Sequence, residues 1–369
     1  MLTRVEVALG ARAYSVLNGH GCLPNVGGLL REHGLNQSHA FVLTNPEVDT
    51  LYGKTLETSL RTAGFNRIAF HRIPTSEEGK NWDEFSKTCA SLLEHFPEAG
   101  AAPLVLLLGG GVVGDLGGFA AAVYRRGVPF VQLPTTLLAA VDSSVGGKVA
   151  VNFGGVKNIM GAFSQPKLVV CDLATLHSLP ERELHSGTAE VIKYGAVCCA
   201  SLFDALEAGA LERLLALEPD TLVEVVTRCV RLKAAVVQQD ELDRLGIRNV
   251  LNFGHTIGHA LELSAHYALT HGEAISVGMV AATRLAESLG VCEAGFRPRL
   301  EGLLQRAGLP LQYSGHSELF EPMLRALQLD KKFRNGKNLF ILPVRPGAWQ
   351  QMEDVPWPLV HEAMHAAIA

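Results

Sequence analysis

Leu104-Val105-Leu106-Leu107-Leu108-Gly109-Gly110-Gly111-Val112-Val113-Gly114-Asp115 carries the strongest strand signal in the chain, and the fold class rests on it. A short apolar run closed by glycines reads as a strand, and the residues after the glycines have helical character. To either side, Ala40-Phe41-Val42-Leu43 is a second strand, ending at Thr44-Asn45-Pro46. Asn66-Arg67-Ile68-Ala69-Phe70, Val128 to Leu133 and Leu168-Val169-Val170 continue the series. Amphipathic stretches such as Trp82 to Phe96 separate them. Strands alternating with helices predict a mostly parallel sheet with crossover helices.

From about Pro180 the pattern changes. Glu181 to Glu207, Ala210 to Gln239, His255 to Ala265, Glu273 to Leu289, Arg297 to Ala307 and Pro322 to Leu327 all read as helical. Strand signals are almost absent until Leu339-Phe340-Ile341-Leu342. The expected division is an α/β domain over residues 1–178 and a predominantly α-helical domain over 179–369.

The chain has 369 residues, 48% of them hydrophobic, which is enough for a large core. Its net charge of −5 has no long run of one sign, so neither nucleic acid nor an anionic membrane is an expected partner. No segment reaches ~18 consecutive apolar residues, so no membrane span is expected. Met1-Leu2-Thr3-Arg4-Val5-Glu6-Val7 does not resemble a signal peptide. Seven cysteines without a CxxC pair read as reduced thiols, and the adjacent Cys198-Cys199 as packing residues; the expected compartment is the cytoplasm.

Gly109, Gly111 and Gly114 fit the GxGxxG pattern, in which glycines let the backbone approach a pyrophosphate at a helix N-terminus. A standard Rossmann unit expects an acid about 20 residues on. Residues 125–141 hold no Asp or Glu, so the reading is a phosphate cradle in a different sheet. Asp142-Ser143-Ser144-Val145-Gly146-Gly147-Lys148, with Lys157-Asn158 beyond, reads as a polar loop after the next strand. Its lysines suit phosphate or carboxylate.

Asn252-Phe253-Gly254-His255-Thr256-Ile257-Gly258-His259 is followed by His271-Gly272-Glu273. His255 and His259 are four apart and share a helix face. The spacing is that of HExxH, but Thr256 stands where a zinc protease carries its general base. Three histidines among glycines suggest a metal centre, with Glu190 the candidate carboxylate, and the spacing leaves open which histidine is not a ligand. His20, His33, His39, His95, His361 and His365 read as surface or packing residues.

The run from Gly109 to Pro166 resembles the signature stretch of the 3-dehydroquinate synthases, within the sugar-phosphate cyclases. So do Leu179 to Leu184, Ala189 to Gly195, Leu251 to Ala260, His271 to Met279 and Asp330-Lys331-Lys332. The resemblance implies a dehydroquinate synthase-like fold. It implies that 3-deoxy-D-arabino-heptulosonate 7-phosphate becomes 3-dehydroquinate and phosphate, a step of the shikimate pathway toward aromatic amino acids. NAD would be a recycled oxidant, and the second cofactor a divalent metal, zinc or cobalt.

By the same resemblance the metal ligands are Glu190, His255 and His271, leaving His259 as a substrate contact. NAD contacts are implied for Asn45, Glu77, Lys80, Gly110, Gly111, Val112, Val113, Gly114, Asp115, Thr135, Thr136, Lys148, Lys157, Thr175, Leu176, His177 and Ser178. Substrate contacts are implied for Asp142, Lys148, Asn158, Lys193, Lys233, Arg248, Asn252 and Lys331. Arg126 matches an arginine that reaches the site of a partner subunit, so the resemblance implies a homodimer. Ser76-Glu77, Phe153-Gly154-Gly155-Val156 and one extra residue between Asp240 and Arg248 depart from the family pattern. The alternatives are a sibling sugar-phosphate cyclase of specialised metabolism and a metal-dependent alcohol or polyol dehydrogenase of related fold.

Overall fold

A computed structural model describes residues 2–98, 100, 102–329 and 337–369. The chain divides into two compact units, Met1–Leu179 with Lys233–Leu242, and Pro180–Leu232 with Asp243–Ala369.

The strands of the first unit, in chain order, are β1 (Thr3–Val7), β2 (Tyr14–Gly19), β3 (His39–Thr44), β4 (Arg67–Arg72), β5 (Leu104–Gly109), β6 (Phe130–Pro134), β7 (Lys148–Phe153), β8 (Val156–Phe163) and β9 (Leu168–Asp172). Seven of them form one sheet in the order β1-β2-β9-β6-β5-β3-β4. β1 pairs antiparallel with β2, and every other neighbour is parallel. Parallel strands are covered by helices on both faces, so a near-continuous apolar run replaces alternation. Accordingly each residue from Leu104 to Leu108 is at most 1% exposed. Leu104, Leu106 and Leu108 pack on one face with Leu29 and Leu30 of the Val26–Glu32 helix and Leu56 and Leu60 of the Lys54–Thr62 helix. Val105 and Leu107 pack on the other with Phe85 and Leu92 of the Trp82–His95 helix and Val113 and Leu116 of the Gly111–Val123 helix. Each such side chain contributes about 1.5–3 kcal/mol on burial.

The strand order places the loops that matter. β3 is bonded to β4 on one side and β5 on the other, so the direction of winding reverses between β3 and β5. Ligands of open α/β sheets bind outside the carboxyl ends of the strands at such a reversal. Asn45 follows β3 and Gly110 follows β5.

Several local expectations are corrected. The stretch expected to be a polar loop contains the antiparallel β7–β8 hairpin, turned at Gly154 (φ +59°) and Gly155 (φ +77°). Two successive left-handed residues match the twist of a hairpin, and glycine adopts them without strain. β1 and β2 precede the first strand expected from the sequence. In the second unit the helix expected to run from Glu181 to Glu207 stops at Cys199, whose backbone is extended (φ −154°, ψ 98°). The one expected over Ala210 to Gln239 is divided, and its longer part begins at Pro219. Proline is tolerated in a first helical turn and not within one.

The second unit is built on the helices Glu181–Cys198, His255–Ser264, His271–Ser288, Phe296–Arg306 and Trp357–Ile368, with a hairpin of β10 (Leu339–Arg345) and β11 (Ala348–Glu353). Thr270 and Glu273 form a reciprocal capping box that starts the His271 helix. Glycines set how closely the helices approach. A Cβ on Gly272 would lie 2.1 Å from the Ser186 carbonyl oxygen, and one on Gly278 2.0 Å from that of Gly254. The Glu181–Cys198, His271–Ser288 and His255–Ser264 segments therefore pack with little between their backbones. Among the described residues no helix is long and apolar enough to cross a membrane.

Candidate active site

Five strand ends of the first unit supply the residues expected at a dinucleotide. Asn45 is buried after β3, where its Oδ1 accepts from the Val48 amide at 2.8 Å. Glu77 and Lys80 follow β4, the Gly110–Asp115 turn follows β5, Thr135 and Thr136 follow β6, and Thr175, Leu176, His177 and Ser178 follow β9. Gly110 caps the Gly111–Val123 helix with no side-chain hydrogen bond. The leading amides of a helix have no partner inside it and favour an anion. Val112 and Val113 lie in that first turn. A Cβ at Gly110 would meet Thr136 Cγ2 at 2.9 Å, and one at Gly114 would meet Gln132 Oε1 at 2.8 Å, so side chains on this turn would crowd the end of β6.

Lys80 organises the charges beside the turn. It is 3% exposed, and its Nζ donates to Asp115 Oδ2 at 2.5 Å and Asn158 Oδ1 at 2.6 Å. Glu77 Oε1 lies 3.8 Å from Lys80 Nζ and 3.9 Å from Lys157 Nζ, and accepts from Asn152 Nδ2 at 3.0 Å. Burial pushes the Asp115 carboxyl above its usual range while Lys80 opposes the shift. Thr175 donates to the Asp172 carbonyl at 2.7 Å, and the Ser178 hydroxyl lies 2.7 Å from that of Tyr52.

Asp142 and Lys233, 91 residues apart, meet in the same unit. Lys233 Nζ is 2.8 Å from Asp142 Oδ2 and donates to the Asp142 carbonyl at 2.8 Å. Lys148 is exposed at the start of β7, and Asn158 is exposed in β8. Arg126 is exposed on a left-handed backbone (φ 65°) directly after Arg125 (φ 51°). Such conformations cost about 1–3 kcal/mol each in non-glycine residues. Arg125 is pinned there by donating to the carbonyls of Glu98 at 2.6 Å and Phe96 at 2.8 Å.

The second unit gathers the metal candidates. One ligand atom from each of His255, His259 and His271 lies within 4.8 Å of the others. Glu190, 1% exposed, places Oε1 3.6 Å from His255 Nε2 and 3.4 Å from His271 Nε2. Two ligands each ~2.1 Å from a tetrahedral ion stand about 3.4 Å apart, so the Glu190–His255 and Glu190–His271 separations each suit a shared divalent cation. His255 Nδ1 lies 3.0 Å from the Phe253 carbonyl, which leaves Nε2 for the shared position. His259 is in the same cluster, its ring centroid 5.0 Å from that of His255. Burial by itself lowers the His271 pKa, but Glu190 and Glu262 outweigh it and hold it up at about 9. The same negative field favours a bound cation.

Lys193, 1% exposed, is ion-paired with Glu190 and donates to the Leu251 carbonyl at 2.8 Å. Arg248 is buried, and Asn252 partly so, in the turn leading to His255. Lys331 lies outside the described residues. Glu262 escaped the sequence reading, although His255, His259 and Glu262 stand at i, i+4 and i+7 on one helix stripe.

Residues 70–186 match the family model described as 3-dehydroquinate synthase N-terminal, and residues 187–333 the one described as 3-dehydroquinate synthase C-terminal. The chain belongs to the 3-dehydroquinate synthase family. It is 43% identical to the 3-dehydroquinate synthase of Dehalococcoides mccartyi strain 195 over 93% of each chain. It is 45% identical to that of Neisseria meningitidis serogroup C strain 053442 over 90% of each. Among solved structures, the 2-epi-5-epi-valiolone synthase ValA from Streptomyces hygroscopicus subsp. jinggangensis 5008, with NAD+ and Zn2+ bound, superposes with a TM-score of 0.83 at 28% identity, covering 96% of each chain. The mostly parallel seven-stranded sheet and the helical remainder are thus the dehydroquinate synthase-like architecture.

Proposed function

We propose that this chain converts 3-deoxy-D-arabino-heptulosonate 7-phosphate into 3-dehydroquinate and phosphate, with NAD as a recycled oxidant and zinc or cobalt as the divalent cation. The observation that carries the proposal is the convergence of Glu190, His255 and His271 in a chain 43–45% identical to 3-dehydroquinate synthases over nine-tenths of its length. When bound, NAD supplies a reversible hydride acceptor and the cation a Lewis acid for an alcohol oxygen.

The chain's own groups bind, orient and balance charge. Residues 1–178 hold NAD through the Gly110–Asp115 amides and the Lys80, Glu77 and Lys157 network. Residues 179–369 hold the cation on Glu190, His255 and His271. Lys193 offsets the buried Glu190 charge and, with Asp142 and Asn252, contacts the substrate. Lys148, Asn158, His259 and Lys331 grip phosphate, and Lys233 and Arg248 grip carboxylate. Fixing both ends of a flexible sugar acid removes rotational freedom before reaction, worth several kcal/mol of barrier.

The protein works as a homodimer in the cytoplasm, serving aromatic amino acid synthesis. Phe153, Val156, Ile159, Met160 and Phe163 are 36–51% exposed along the β7–β8 hairpin, an apolar edge that a second copy would cover. Arg126 then reaches the partner's site.

The likeness to ValA keeps a sibling cyclase as the second reading. Purified protein supplied with the heptulosonate phosphate, NAD and zinc is expected to release phosphate and 3-dehydroquinate in equal amounts, without accumulating NADH. Accumulating NADH would indicate a dehydrogenase. Turnover of another sugar phosphate, with none of this one, would indicate the sibling activity.

A further inference from the structure

We infer that Glu262 is a positioning residue whose carboxylate holds the His271 imidazole with Nε2 turned toward Glu190 and a bound divalent cation. The inference rests on the metal-centre reading above and assigns a residue outside the ligand set. Glu262 projects from the His255–Ser264 helix, is 3% exposed, and places Oε2 3.6 Å from His271 Nδ1. On the opposite side of the same ring, Nε2 lies 3.4 Å from Glu190 Oε1. The imidazole is therefore bracketed by two carboxylates, one on each nitrogen.

A neutral imidazole carries one N–H donor and one lone pair, and the partner of one nitrogen selects the role of the other. A carboxylate accepts only, so once a cation between His271 and Glu190 takes the Nε2 lone pair, Glu262 holds the ring proton on Nδ1. His255 meets the same requirement with a neutral group, the Phe253 carbonyl 3.0 Å from its Nδ1. The charge on Glu262 adds a second effect, because it raises the electron density of the ring and makes His271 the stronger ligand. Closing the gap to a hydrogen bond takes a shift of about half an ångström, within reach of ring rotation. A carboxylate this buried is costly unless partners offset it, and the His271 N–H is placed to be one of them.

The test compares Glu262→Gln and Glu262→Ala with the unaltered chain by zinc titration and by the visible spectrum of the cobalt-loaded protein. The expected loss of affinity is about 10-fold for Gln, whose amide oxygen can still accept the Nδ1–H hydrogen bond, and up to about 100-fold for Ala. The cobalt bands should change in both, since a rotated or weaker imidazole alters the ligand field. In a His271→Ala background, Glu262→Gln should cause no further loss. Near-ultraviolet circular dichroism checks folding, and if the Ala variant does not fold, the isosteric Gln variant decides alone. Zinc affinity and cobalt spectrum unchanged in Glu262→Gln would overturn the inference while leaving the metal centre standing. Failure of the unaltered chain to bind zinc or cobalt would remove both.

Discussion

Lys80 carries the clearest consequence for a single side chain. Its ammonium is almost inaccessible and touches the Asp115 carboxylate and the Asn158 amide oxygen together. Burial already disfavours the Asp115 charge, so removing the lysine leaves that charge without its main counterion. Lys80→Met should therefore destabilise the chain by about 2–4 kcal/mol, read from the denaturant midpoint. Adding Asp115→Asn should recover part of that loss, because an uncompensated carboxylate is worse than a neutral amide. Equal stability of Lys80→Met and the unaltered chain would show that the pair is not coupled to folding. None of this is visible in Ser76-Glu77-Glu78-Gly79-Lys80, which reads as a solvated loop until the fold brings Asp115 against it. Only the family resemblance marks Lys80 in the sequence.

Among the elements, the packing of the Glu181–Cys198 and His271–Ser288 helices sets the distance from Glu190 to His271. Gly272 lies at their closest approach, where an added methyl would press on the backbone of Ser186. Gly272→Ala is expected to cost about 1–3 kcal/mol as the helices separate. It should also weaken zinc binding, since the Glu190–His271 separation widens with them. Gly302→Ala is the control, because nothing lies within 4 Å of a Cβ there, in the interior of the Phe296–Arg306 helix. That substitution should be neutral or stabilising by up to about 1 kcal/mol. Thermal unfolding and zinc titration of the two variants separate these outcomes, and equal behaviour would sink the argument. The β7–β8 hairpin is legible in principle, from Gly154-Gly155 flanked by Val149, Val151 and Phe153. The density of Lys, Asp and Ser around it favours a loop reading instead.

For the molecule as a whole, the proposed homodimer would use the exposed apolar edge of β8. Ile159 and Phe163 stand on one face of that strand, 43% and 45% exposed. If a second copy covers them, Ile159→Glu with Phe163→Glu buries two carboxylates at the contact, and sedimentation should report half the mass of the unaltered protein. Turnover should fall with it, because Arg126 could no longer reach a partner's site, while zinc affinity stays unchanged. A variant that keeps the mass of the unaltered chain would place the contact elsewhere.

The order of amino acids dictates short-range geometry. A buried parallel strand needs an apolar run such as Leu104 to Leu108, and histidines four apart must share a helix face, so sheet class and the histidine cluster are readable from spacing. Which distant groups meet is settled only in three dimensions. Asp142 finds Lys233, Glu190 faces His255 and His271, and Glu262 stands behind His271. The last two meetings depend on how closely backbones approach at Gly272 and at Gly278. Neither leaves a periodic trace along the chain, because each is a property of packed pairs of elements and not of any one of them.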